Sequence, residues 1–175
     1  MDLGIPRPEH PRPDFVRPEW LNLNGVWAFS FDRDDHGLKE EWFLPGRLAE
    51  HINVPFAPES SLSGIGDRDF HEVVWYGRQI AAPPEWRGGR TLLHFGAVDY
   101  ACQVWLDGEW VGSHWGGYTP FSVDLTGKLK PGGGYLALRV EDHARRGAQP
   151  KGKQSSKPES YGCYYTRTTG VWQTV

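Results

Sequence analysis

Sulfur is scarce in this chain, which has two cysteines and one methionine in 175 residues. Two cysteines, Cys102 and Cys163, cannot build a disulfide framework. Neither lies in a CxxC or Cys/His spacing of the kind that holds zinc, and His71, His94 and His114 have no metal spacing either. No metal and no cofactor is therefore expected. Cys102 falls in an apolar alternation and reads as a buried free thiol, which suits a cytoplasmic location. The amino-terminal Met-Asp-Leu-Gly-Ile-Pro-Arg-Pro has no apolar run of signal-peptide length, and no apolar run anywhere is long enough for a membrane span. An excess of one charge is also missing: 19 basic residues face 22 acidic ones, for a net charge of −3. That balance gives no basic footprint for nucleic acid and no attraction to an anionic membrane. Finally, no segment keeps a 3.6-residue period beyond two turns.

What the chain does have is bulk and punctuation. Nine Trp, eight Phe and seven Tyr can fill one real core, and 22 Gly with 14 Pro break the sequence into short pieces. Residues 1–18 are rich in Pro and Arg without periodicity and read as an extended arm, leaving 19–175 as a single domain. In Gly25–Phe31, Trp27, Phe29 and Phe31 alternate with Val26, Ala28 and Ser30, the period of a strand. Residues 32–50 are mixed, with a short helix possible near Leu38–Phe43, and 55–72 read as a long loop. Val73–Ala82, Arg90–Ala97, Ala101–Asp107, Trp110–Ser113, Phe121–Leu125 and Tyr135–Glu141 are strand-like. Asp107-Gly108 between two of them predicts a type I′ hairpin, whose turn needs positive φ at both central residues. A basic, Gly/Ser/Pro-containing loop over 142–162 precedes Tyr164-Tyr165-Thr166 and Gly170–Val175, read as a final strand. The fold class predicted is all-β, an antiparallel sandwich. The sequence stops inside that last strand, which reads as truncation before further domains and as a reason for weak homodimers.

One ordered series of motifs resembles a known family. Leu92-Leu93-His94-Phe95-Gly96-Ala97-Val98-Asp99-Tyr100 and Val104-Trp105-Leu106-Asp107-Gly108-Glu109-Trp110-Val111-Gly112 resemble the jelly-roll, galactose-binding-like sugar-binding domain of family 2 glycoside hydrolases. Around them, Leu23–Trp27, Val54-Pro55, Val74–Tyr76 with Arg78, Gly116–Phe121, Asp124–Thr126 and Thr169–Val175 look like the family's other landmarks, from about Arg17 to the end. The resemblance implies a carbohydrate partner and a larger parent chain with an immunoglobulin-like domain and a catalytic (β/α)8 barrel. The barrel would hold two catalytic glutamates in the retaining arrangement. No residue of this sequence inherits a catalytic role.

In the family a carboxylate just before the closing strand touches the sugar, and counting back from Gly170 puts that position on Tyr164. The expected Asp is absent. Tyr164 either offers a hydroxyl and an aromatic face to a pyranose or packs in the sandwich, and packing is the reading for Tyr165. Arg167 can clamp a hydroxyl pair or a uronate, though a salt bridge to a following domain is the simpler reading. His71 and Glu72 close a polar loop with Asp67, Arg68 and Asp69; solvated surface is the simpler reading there. Trp27, Trp75 and Trp105 belong to the core pattern, whereas Trp110, Trp115 and Trp172 are candidates for an exposed sugar platform. Besides an accessory glycosidase domain, the sequence leaves open an autonomous carbohydrate-binding module and a structural scaffold.

Overall fold

A computed structural model describes residues 4–86, 88–146 and 148–175. Ten strands make up the regular structure: β1 Gly25–Phe31, β2 Glu50–Val54, β3 Val73–Ile80, β4 Leu92–Phe95, β5 Val98–Asp99, β6 Ala101–Leu106, β7 Glu109–Trp115, β8 Phe121–Asp124, β9 Gly134–Glu141 and β10 Gly170–Val171. Three single 3-10 turns are the only helical pieces among the described residues. None is long or apolar enough to cross a membrane.

All the strand pairings are antiparallel. Six strands form one sheet in the order β2-β1-β3-β9-β6-β7, and two short ladders, β4–β8 and β5–β10, stand apart from it. The ladders form the second layer. Leu93, Phe95, Val98, Val123 and Val171 share one buried cluster with Trp27, Phe29, Ile52, Val54, Val74, Tyr76, Val104, Leu136, Leu138 and Val140 of the large sheet. The alternation of Leu136, Leu138 and Val140 along β9 faces that core. The result is the antiparallel β-sandwich that the sequence predicts.

The opposite face of the large sheet is also covered at its centre. Val73, Trp75, Trp105, Tyr135 and Ala137 form a second cluster, with Trp42, Phe43 and Leu48 of the 32–49 excursion laid over it. Phe43 stacks on Trp105 at 5.7 Å, and Trp105 on Trp75 at 5.4 Å. Burial on two faces explains why β3 is apolar without interruption at Val73–Tyr76. Asp32 anchors the excursion by accepting from Trp75 Nε1 and Gly37 N, both at 2.9 Å.

Several boundaries differ from the sequence reading. Residues 38–43 form successive turns and no helix, because Trp42 and Phe43 are held by the sheet beneath them rather than by a helical ladder. β2 and β5 lie in segments that carried no strand signal. The closing strand is only Gly170–Val171, and Tyr164 and Tyr165 make isolated bridges instead of a strand. The Asp107-Gly108 hairpin is as expected: φ is 51° and 84°, and Leu106 pairs Glu109 across it. Residues 4–24 lie before β1 without a strand, with Asn22 and Asn24 donating to the carbonyls of Arg7 and Pro6.

Candidate functional site

At one end of the sandwich the loops 55–72 and 142–169 meet in a belt of buried polar side chains. Glu59, Asp99, Asp142, Gln154, Arg167 and Thr169 are all buried. Polar groups taken from water need partners, and here the partners tie the long loop to the strands. Gln154 Nε2 donates to Asp99 Oδ2 at 2.7 Å and to the Tyr118 hydroxyl at 3.1 Å, while Gln154 Oε1 accepts from Thr168 N at 2.8 Å. Thr169 donates its hydroxyl to Asp142 Oδ2 at 2.8 Å and its N–H to Glu59 Oε2 at 3.2 Å. Gln149 holds the other Asp142 oxygen at 2.7 Å.

Three carboxylates are thus buried in the belt, and two of them, Glu59 and Asp142, feel the Arg167 charge. Burial pushes Asp99 up to about 7, helped by the charge of Asp142 and opposed by the Gln154 hydrogen bond. Burial likewise raises Glu59 to about 6, against the hydrogen bond from Thr169 and the Arg167 charge. Asp142 is raised for the same first reason. Desolvation disfavours the ionised form of each acid.

Arg167 sits at the centre of the belt with its side chain buried. Its Nη2 donates to the main-chain carbonyls of Arg68 and Asp69, its Nε lies 3.7 Å from Glu59 Oε1, and its Cζ stacks 3.7 Å over Phe70. The salt bridge expected toward a following domain is therefore corrected: Arg167 is used inside this domain. His71 and Glu72 are only partly exposed. His71 Nε2 pairs with Asp67 Oδ2 at 2.9 Å and its ring lies against Phe31. Glu72 takes a two-bond clamp from Arg146, at 2.7 and 2.6 Å, which holds its carboxyl below the usual range, with His143 at 3.3 Å.

His71, Glu72 and Arg167 line one cavity of about 10 Å³, together with Phe70, Asp142 and Thr169. That is the size of a single water site, not of a sugar. A second cleft, of about 170 Å³, lies between Ala57, Glu59 and Ser60 on one side and Thr166, Arg167 and Thr168 on the other, with Arg68 lining it.

Tyr164 lies apart from both cavities. It closes a two-residue turn in which Tyr161 and Tyr164 exchange main-chain hydrogen bonds at 3.1 and 2.8 Å across Gly162-Cys163, with φ +54° at Gly162. The Tyr164 ring stacks on Tyr161 at 5.1 Å and is 41% exposed, and its hydroxyl has no hydrogen bond among the described residues. Tyr165, expected to pack, is 66% exposed. Trp110 and Trp115 are exposed as expected, whereas Trp172 is half-buried with Nε1 bonded to Gly117 O at 2.8 Å. No cluster of three or more His, Cys, Asp or Glu capable of holding a metal exists among the described residues.

Residues 21–147 match the family model described as glycosyl hydrolases family 2, sugar binding domain. The chain belongs to that family. A β-glucuronidase of Paenibacillus borealis is 32% identical over 120 residues, covering 68% of this chain and 20% of the relative. A β-galactosidase of Thermoanaerobacter pseudethanolicus is 30% identical over 140 residues, covering 77% and 17% respectively. The solved β-glucuronidase of Ruminococcus gnavus in complex with D-glucuronic acid superposes with a TM-score of 0.63 at 28% identity, over 70% of this chain and 21% of that one. The family 2 chain described here thus spans about a fifth of the length of these relatives. His71 and Glu72 lie within the matched span, and Tyr164 and Arg167 beyond it.

Sequence reasoning missed Glu59, Asp99, Asp142, Gln154 and Thr169. Their partners are separated by up to 110 residues in sequence, and no local period marks them. The one available signal was a carboxylate placed among prolines in 55–72.

Proposed function

We propose that this chain is the accessory sugar-binding domain of a retaining exo-glycosidase of family 2, with carbohydrate as the partner of the complete enzyme. It supports the catalytic barrel and forms part of the wall of the sugar pocket, and it turns over no substrate alone. The observation that carries the reading is family membership over a domain-sized segment combined with coverage of about a fifth of each relative. The open cleft agrees with it. At about 170 Å³ it is smaller than a self-sufficient ligand pocket, typically ~300–1,000 Å³.

Tyr164 is the sugar-contacting residue in this reading. Its ring is presented on a tight turn whose loop is bonded to the sandwich through Gln154 and Thr169, so the side chain is exposed on a fixed base. Arg167, His71 and Glu72 act behind it, holding the loops 66–72 and 142–169 together. The test is kinetic. In the complete enzyme, Tyr164→Ala lowers kcat/KM; unchanged kcat/KM would assign Tyr164 to surface only.

An autonomous carbohydrate-binding module is the second reading, favoured by the exposure of Trp110 (58%) and Trp115 (68%). Calorimetry of this chain against a sugar panel separates the two. Dissociation constants near ~1 μM would favour the module, because that affinity requires a site complete within the chain.

A further inference from the structure

The 142–169 loop is fastened to the sandwich through buried acids. Gln154 donates to Asp99, and Thr169 gives its hydroxyl to Asp142 and its N–H to Glu59. Two of the three acids thus share Thr169, and Gly170 beside it pairs with the third, Asp99. Arg167, the cation of the belt, spends Nη2 on the carbonyls of Arg68 and Asp69, and its Nε is 3.7 Å from Glu59, too far for a hydrogen bond. With all three acids ionised, negative charge exceeds positive, and desolvated charges without close partners are unfavourable. Asp99 gives a second, independent sign. Its Oδ1 is buried with no partner among the described residues, against Gly117, where a Cβ would collide with it. A proton on Oδ1 removes the charge and leaves Oδ2 to accept from Gln154.

The other titratable groups facing this cluster are His143 toward Asp142, Asp67 and Asp69 toward Arg167, the buried Tyr76 hydroxyl toward Glu59 and the Tyr118 hydroxyl toward Gln154. We propose that Glu59, Asp99 and Asp142 form a proton-operated latch: the 142–169 loop stays docked while they hold protons and is released as they lose them. Exposed carboxylates ionise near roughly 3.9–4.3, whereas burial raises Asp99 to about 7, Glu59 to about 6, and Asp142 above its ordinary value. Docked values above the exposed ones make docking strongest below about pH 4. It weakens as pH rises and has lost this contribution past about pH 7. Gln154 bridges Tyr165, the neighbour of Tyr164, so the latch also holds Tyr164 in place. That consequence rests on the sugar-contacting reading of Tyr164, whereas the latch is tested without sugar.

The test is amide hydrogen exchange of this chain from about pH 5 to about pH 7.5, each rate divided by its intrinsic value at that pH to give an opening constant. The amides of Thr168 and Thr169 report the latch, since they donate to Gln154 and Glu59. Those of Leu138 and Val140 in β9 report global unfolding. The Thr168 and Thr169 constants should exceed those of β9 and rise at least about thirtyfold over the range, as expected for protons held in the docked loop and lost from the open one. In Asp99→Asn, which keeps an acceptor for Gln154, the rise should fall below about tenfold. The β9 amides report whether that variant folds; if it does not, the wild-type profile decides alone. A flat profile at Thr168 and Thr169 overturns the latch. So do opening constants that coincide with those of β9 at every pH, and so does a full rise retained in Asp99→Asn. After any of these, kcat/KM of the Tyr164 variants still judges the sugar-contacting reading.

Discussion

Asp99 is the residue where burial and chemistry conflict most. One oxygen is bonded to Gln154, and the other is buried without a partner among the described residues. Its folded pKa of about 7 lies above the ordinary carboxylate value of roughly 3.9. The folded state therefore binds more protons than the unfolded state between those values, and stability falls as pH rises from about 4 to about 7. Asp99→Asn keeps an acceptor for Gln154 and removes the charge. Its unfolding free energy should be flatter over that window and exceed wild type at alkaline pH. Denaturant unfolding across pH checks this, and parallel curves would contradict it. At Tyr164 the stakes are smaller. A neutral hydrogen bond contributes roughly 0.5–1.5 kcal/mol, so Tyr164→Phe in the complete enzyme should lower kcat/KM about threefold to tenfold. Tyr164→Ala should lower it further through lost stacking. Steady-state kinetics measures both.

Among the elements, the hairpin of β6 and β7 is the part most fully written in the sequence. Asp107-Gly108 sits between apolar strands, and both residues take the positive φ that the turn requires. Gly108→Ala places a Cβ at φ +84°, where an L-residue costs about 1–2 kcal/mol, and 2.9 Å from Leu44. The variant's unfolding free energy should drop by at least that amount in urea denaturation. Strand β1 was equally legible, because its two faces differ: Trp27 and Phe29 are buried and Val26 is exposed. β2 was not, since Glu50-His51 begin it as exposed residues and only Ile52 and Val54 turn inward. β10 was read as a strand but over too long a span, Gly170–Val175: only Gly170 and Val171 pair, with Asp99 and Val98, and the Tyr76 hydroxyl accepts from Val171 N, partners far away in sequence. The apparent helix at 38–43 failed because its aromatics cover the back of a sheet that no local pattern announces. The buried belt was invisible for the same reason: Glu59, Asp142 and Gln154 become a site only when two long loops meet.

For the whole molecule, the sandwich has its own core of large side chains and a polar end where the loops converge. That division suits a domain that carries a surface of a pocket rather than a catalytic centre. The carboxylates that are buried together each give an oxygen to hold a loop, through Thr169, Gln149 or Gln154, which is a packing role rather than a pair poised around a scissile bond. The most direct test is a hydrolysis assay of this chain alone with aryl β-galactoside and aryl β-glucuronide. The account predicts no product above blank at any pH between about 4 and 8, a window that includes the ionisation of Glu59 and Asp99. Turnover that survives repurification and disappears in Glu59→Gln or Asp99→Asn would contradict it, and would make the buried belt an active site.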